Sequence, residues 1–156
     1  MSSGDRVLVL YEQGRAGAAA IDLARELAED EDAAITVVGV ALRAPSPRCG
    51  NSAVDYNQAV AVSVARDLER ARWRLGPAAG HARFQLLTEG AGPSFGQFAQ
   101  AGGFDLVLLP AHRRPFGAVH HPEARRLALS AGGQIRIVAP VSGALPRLPR
   151  RDAGAD

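Results

Sequence analysis

Apolar residues in this chain alternate between two patterns, one typical of buried strands and one typical of helices. Short segments, most of them continuous apolar runs, predict strands buried on both faces of a sheet; they cover residues 6–10, 34–42, 83–88, 105–109 and 135–138. Between them, apolar residues recur at helical spacing over residues 18–29, 54–75, 93–101 and 122–131. The segments 43–52 and 110–122 contain helix and strand breakers and are predicted to be loops.

The regular alternation of strand and helix predicts a single α/β domain with a doubly wound, five-stranded parallel sheet. In sequence numbering its strand order is expected to be 3-2-1-4-5. Ligands of such sheets bind beyond the carboxyl ends of the strands, where the winding reverses. The loops 11–17 and 110–122 are predicted to meet there. The domain is predicted to cover residues 1–142, and the Pro- and Arg-rich residues 143–156 to form a flexible tail.

Composition excludes several classes of function. All 18 basic residues are arginine, and the absence of lysine excludes a Walker-type phosphate loop, a Schiff-base enzyme and a receiver domain with its switch lysine. A net charge of only +2 gives little reason to expect a nucleic-acid partner. No apolar run approaches the length needed to cross a bilayer. The single cysteine, Cys49, cannot form an internal disulfide, which favours a cytoplasmic location.

The chemically capable side chains are concentrated after the fourth predicted strand. There His112, Arg113, Arg114, His120 and His121 could bind a small anion, helped by the backbone amides at the start of the following helix. The alternative is a solvated surface loop. A metal site made by the three histidines is not expected, because adjacent histidines seldom point at one ion and no paired carboxylate lies nearby in the sequence.

Across the predicted crevice, Glu12, Gln13 and Gly14 follow the first strand. Glu12 could accept a hydrogen bond from a ribose or from the facing loop, or it could simply be solvated. No serine lies on a strained nucleophile elbow, no cysteine has a convincing base, and no dinucleotide-binding glycine fingerprint is present. These residues favour a binding site over a catalytic one.

Four segments resemble universal stress proteins, and the resemblance covers roughly residues 5–140. The segment VLVLYEQGRAGAAAIDLARELA (7–28) resembles the first strand, loop and helix of that family, and LLTEG (86–90) resembles its third strand with the acid and glycine that follow. The segment FDLVLLP (104–110) resembles its fourth strand, and GQIRIVAP (133–140) resembles its final strand. The resemblance implies a Rossmann-like fold of the adenine nucleotide alpha hydrolase type and a role in stress response. It also implies a homodimer that pairs the last strand, from Ile135 to Val138, across a two-fold axis.

The nucleotide motif of the ATP-binding members is altered here. They carry an aspartate after the first strand, where this chain has Glu12, and Gly-x-x-Gly after the fourth, where it has Pro110 and Arg113. Their following Gly-Ser or Gly-Thr pair falls on His121-Pro122 or Glu123-Ala124. Those glycines let backbone amides approach phosphate oxygens, whereas a Cβ obstructs the approach. The sequence therefore predicts a regulatory or binding module, without a cofactor, that does not bind ATP through the glycine motif.

Two alternatives remain open from the sequence. One is a divergent stress protein that still holds an adenine nucleotide between the loops after the first and fourth strands. The other is a pathway-specific enzyme or accessory subunit with a remodelled pocket. A likeness of fold cannot separate them. A homodimer is expected in each case, because an apolar strand at a sheet edge promotes aggregation unless it is paired or covered.

Overall fold

The computed structural model describes residues 4–43, 50–113, 119–128 and 133–140. The predicted tail, 143–156, and Arg114 lie outside the described residues. Within the described ranges the main sheet contains five strands: β1 (Arg6–Leu10), β2 (Ala34–Ala41), β3 (Arg83–Thr88), β4 (Leu106–Pro110) and β7 (Gln134–Val138). The same ranges contain four α-helices: α1 (Arg15–Asp30), α2 (Gly50–Leu75), α3 (Phe95–Gly102) and α4 (Pro122–Ala128).

The sheet is parallel and has the order β3-β2-β1-β4-β7, which confirms the predicted fold class and strand order. Because β1 is paired with both β2 and β4, the winding reverses between β1 and β4. The sheet therefore opens a crevice beyond the carboxyl ends of these two strands. The loops after β1 and β4 meet at this crevice, as the sequence predicts.

Alternate residues of the central strands face opposite layers of the core, because side chains alternate across a strand. Val7 and Val9 pack with α1 and α2, whereas Leu8 and Leu10 pack on the side of α3 and α4. All four side chains are buried. This burial on both faces explains why the strands appear in the sequence as unbroken apolar runs.

Several element boundaries differ from the sequence predictions. Helix α1 begins at Arg15 and not at residue 18, and α2 begins at Gly50, so residues 50–52, predicted to be loop, are helical. A 3-10 helix, Gly76–His81, continues the chain after α2, where a simple stop was predicted. Helix α3 begins at Phe95 and not at residue 93, after a capping box in which Ser94 and Gln97 exchange hydrogen bonds, and Gly103 in the left-handed conformation caps its end.

The segment after β4 is more ordered than a loop. Strands β5 (His112–Arg113) and β6 (Val119–His120) pair antiparallel, with His112 opposite His120. The prediction of an irregular loop over residues 110–122 was therefore wrong for these four residues. The pairing folds the chain back on itself and returns it to α4, so that His121 lies beside His112. No helix within the described residues is both long enough and apolar enough to cross a membrane.

Candidate ligand-binding site

Glu12 is positioned by the turn that joins β1 to α1. The amide of Tyr11 donates a hydrogen bond of 2.8 Å to the carbonyl of Val38, which extends the pairing of β1 with β2 by one residue. The chain then turns through Gly14, which has φ 125°. Gly17 is buried in the first turn of α1, and a Cβ there would collide with the carbonyl of Glu12. Only glycine at position 17 therefore allows α1 to begin this close to Glu12.

Two histidines hold the Glu12 carboxylate from across the crevice. The Nε2 atom of His112 lies 2.6 Å from Oε2 of Glu12, and Nε2 of His121 lies 3.1 Å from Oε1. The two imidazole rings are 4.6 Å apart between centroids. Of the two possibilities raised for Glu12, an acceptor for the facing loop and a solvated carboxylate, the structure shows the first.

His121 is the more buried of the two histidines, with only 3% of its side chain exposed. Its Nδ1 atom accepts a hydrogen bond of 3.1 Å from the backbone N–H of Glu123, in the first turn of α4. Nδ1 therefore carries a lone pair, and the ring hydrogen is on Nε2, from which it is donated to Glu12. Both nitrogens are satisfied in the neutral form, so the ring links the start of α4 to the end of β1.

Opposing effects act on the pKa of Glu12. Partial burial of the carboxyl raises its pKa, but the hydrogen bonds from His121 and His112 lower it and together outweigh burial. The net result is a pKa below the ordinary value of 4.5. Glu12 is therefore a carboxylate throughout the neutral range. Each of its oxygens accepts a hydrogen bond from one histidine and retains a lone pair for a further hydrogen-bond donor.

We expect Glu12→Gln to lower the free energy of unfolding by about 1–2 kcal/mol near neutral pH, because the amide cannot accept from both histidines. A carboxyl group whose folded-state pKa is depressed stabilises the protein above its unfolded pKa, and this contribution is lost as the pH falls through the folded value. The difference between wild type and variant should therefore shrink as the pH falls below the ordinary value of 4.5 and through the depressed folded value. Urea titrations at several pH values measure it.

Glu29→Gln is the matched control, since Glu29 is exposed on α1, and we expect a change within about 0.5 kcal/mol. A Glu12→Gln effect that stayed constant down to acidic pH would contradict the assigned role of the carboxylate.

A cavity of about 530 Å³ opens beside Glu12 at the carboxyl ends of β1, β2 and β3. Its floor is apolar and is formed by Leu10, Val40, Leu87 and Phe95. Its polar lining includes Glu12 with both of its histidines. An apolar floor with a few convergent polar groups is the usual construction of a small-molecule site, and the volume lies in the usual range.

A second cavity, of about 410 Å³, lies between the loops that follow β1 and β4. It shares Glu12, Gln13 and His112 with the first cavity, and its lining includes Gly14 and Arg113. The start of α1, with Arg15, forms another wall. The two cavities thus adjoin at Glu12; one has an apolar floor, and the other is lined by arginines and by the positive end of a helix dipole.

The predicted site residues divide between these cavities and their surroundings. The structure brings together Glu12, His112 and His121, and it places Gln13, Gly14 and Arg113 in the shared wall or the second cavity. His120 does not join them. Its Nδ1 atom is buried and has no hydrogen-bond partner among the described residues. Arg114 is outside the described residues.

One element of the predicted anion site is already engaged. The amide of Glu123, expected to face an anion at the start of α4, donates instead to His121. The residues that sequence reasoning missed are the apolar floor of the first cavity, above all Val40 and Phe95. They gave no separate signal because apolar residues at strand and helix ends are also expected in the core.

The same three side chains could also hold a cation. The ligating atoms of Glu12, His112 and His121 lie within 4.8 Å of one another. Two imidazoles and a carboxylate form a donor set that binds first-row transition metals.

Comparison with known proteins shows which fold the chain has. Neither protein-family models nor curated protein sequences give a match. Solved structures do. A protein of the universal stress protein family from Burkholderia pseudomallei is 21% identical with a TM-score of 0.67, and the match covers 90% of this chain and 98% of that one. Universal stress protein UspA from Lactobacillus plantarum is 14% identical, with a TM-score of 0.71 and coverage of 88% and 99%.

A universal stress protein from Archaeoglobus fulgidus, solved in complex with dAMP, is 18% identical with a TM-score of 0.55. The match covers 88% of this chain and 99% of that one. These likenesses confirm that the chain has the fold of the universal stress proteins. The low identities fit the altered residues of the nucleotide motif.

Proposed function

We propose that this chain is a divergent member of the universal stress proteins and acts as a regulatory module that binds a nucleoside monophosphate rather than ATP. The observation that carries the proposal is that Glu12 lines both cavities, which lie side by side. The apolar cavity suits a planar base, and the carboxylate can accept hydrogen bonds from ribose hydroxyl groups. The second cavity offers Arg113, Arg15 and the α1 dipole to one phosphate.

The complex of a structural neighbour with dAMP supports an adenine base as the first candidate. A binding role is favoured over catalysis because Glu12 is engaged by two histidines, and the sequence offers no activated nucleophile beside it. The small anionic ligand expected from the sequence is, in this proposal, the phosphate of the nucleotide.

ATP is expected to bind poorly for two reasons. Pro110 lacks an amide hydrogen, and Arg113 adds a side chain where a glycine amide would approach a phosphate. One phosphate fits the arginine-lined cavity, whereas three exceed the positive charge available.

Calorimetric titration in the presence of a metal chelator tests this proposal. We expect AMP to bind at least about tenfold more tightly than ATP, and ATP to have a Kd of about 1 mM, which corresponds to roughly 4 kcal/mol. Separate titrations with adenosine and with inorganic phosphate measure binding at the first and the second cavity, respectively. ATP binding as tightly as AMP would contradict the proposal and indicate a phosphate site of another kind.

We also propose a homodimer formed through β7. This strand is at the edge of the sheet, and Ile135 and Ile137 are only partly buried in the single chain. An apolar strand with an unpaired edge favours pairing with a second copy. We expect Ile137→Lys to shift the protein toward monomer at about 50 micromolar, measured by light scattering. Arg136→Lys, on the same strand, should leave the dimer unchanged, and a monomeric wild type at this concentration would contradict the proposal.

A further inference from the structure

We propose that Glu12, His112 and His121 form a binding site for a divalent first-row transition metal of the Zn²⁺ type. This inference goes beyond nucleotide binding and does not depend on it. The ligands come from three separate places in the fold: the end of β1, the start of β5 and the residue before α4. No metal site was expected from the sequence, because adjacent histidines seldom point at one ion and no paired carboxylate lies nearby in the sequence. The carboxylate of this cluster comes from Glu12, a hundred residues before His112.

The donor atoms are close to the spacing that a metal needs. Ligands at 2.0–2.1 Å from a tetrahedral ion are about 3.3 Å apart. Oε1 of Glu12 and Nε2 of His121 are 3.1 Å apart, whereas Oε2 of Glu12 and Nε2 of His112 are 2.6 Å apart. Small side-chain rotations would therefore admit an ion, which would replace the two hydrogens now shared with the carboxylate.

The site is accessible and incomplete, as a ligand-exchanging metal site must be. His121 is buried, but the side chains of Glu12 and His112 are 37% and 42% exposed, and both residues line the two cavities. Three protein ligands leave at least one position for water or another ligand. Two imidazole nitrogens select Zn²⁺, Co²⁺ or Ni²⁺ over Mg²⁺ and Ca²⁺, which prefer sets of oxygen ligands.

Metal binding has a specific structural consequence at His121. When Nε2 binds an ion, the neutral ring carries its hydrogen on Nδ1, where it faces the N–H of Glu123. The two donors repel, so the hydrogen bond to the start of α4 must break. Its loss should weaken metal binding by about tenfold relative to an unhindered site, and it gives the proposal a local signature.

Cobalt titration of the full chain, without nucleotide, tests the proposal. We expect Co²⁺ to bind with a Kd in the micromolar range and to produce visible absorption bands, with Zn²⁺ displacing it. His112→Gln and Glu12→Gln should each lower the affinity by more than about 100-fold, beyond the 10- to 100-fold typical of a lost supporting group. His120→Gln is the matched control for a neighbouring histidine and should bind cobalt like the wild type.

A second measurement does not depend on how any variant folds. In the wild type, X-ray absorption of the bound cobalt should show two imidazole ligands, and the amide resonance of Glu123 should shift when Zn²⁺ is added. Absence of cobalt binding up to about 1 mM would overturn the proposal, and the cluster would then be held by hydrogen bonds alone. Loss of binding in His120→Gln would overturn the assigned ligand set. Because nucleotide binding is measured with a chelator, each proposal can fail without the other.

Discussion

Gly17→Ala should abolish AMP binding and lower the free energy of unfolding by about 1–3 kcal/mol, occasionally more. The new methyl group would overlap the backbone carbonyl of Glu12, so either the start of α1 or the turn before it must move. Glu12 is held by hydrogen bonds of 2.6 and 3.1 Å, and a displacement of even 1 Å would break them. Calorimetry with AMP and urea unfolding measure the two effects.

Gly80→Ala is the matched control for this glycine. A Cβ at Gly80 meets no atom within 4 Å, and the position is exposed on the 3-10 helix. We expect its stability to change by less than about 1 kcal/mol and its affinity for AMP to stay the same. If Gly17→Ala bound AMP normally, the close approach of α1 would not be what positions Glu12.

Val40→Trp is expected to weaken AMP binding by more than about 100-fold, because the indole would occupy the apolar cavity in place of the base. Val40 is half-buried on β2 and faces the cavity between Leu10 and Leu87. A loss of this size corresponds to about 2.7 kcal/mol. The added volume can extend into the open cavity, so the variant should remain folded, with a Tm that shows only a moderate change.

Val62→Trp adds the same side chain at an exposed position of α2, where Val62 is 47% exposed. It should bind AMP like the wild type. Equal loss of binding in both variants would indicate a general effect of the added indole. Unchanged binding in Val40→Trp would place the ligand outside this cavity.

The sequence was sufficient to predict the sheet because its signal is local and redundant. Segments such as Val7 to Leu10 are buried on both faces and alternate with helices, and this combination leaves few topologies. The strand order followed from that alternation, and with it the meeting of the loops after β1 and β4. Boundaries were predicted less well where capping decided them, as at Ser94, since a cap depends on hydrogen bonds and not on apolar spacing.

The candidate site was predicted only in part, because its chemistry depends on distances that no local pattern contains. The sequence pointed to Glu12 and to His112 and His121 separately. The contact of Glu12 with the two histidines requires the pairing of β5 with β6, in which His112 lies opposite His120. Each of these strands has only two residues, which is too short for a strand pattern in the sequence. The hydrogen bond from the Glu123 amide to His121 could not be predicted either, because it depends on how one imidazole ring is oriented. Polar side chains from distant parts of the chain meet across the crevice only once the chain has folded.

The most direct test of the central claim is a crystal structure of the protein grown with AMP. We expect the base to lie against Val40 and Leu10, ribose hydroxyl groups to lie within hydrogen-bond distance of the Glu12 carboxylate, and the phosphate to lie beside Arg113 and the start of α1. About 5 mM AMP is well above the Kd expected for this site. Empty cavities at that concentration, or a nucleotide bound elsewhere on the molecule, would contradict the proposed site.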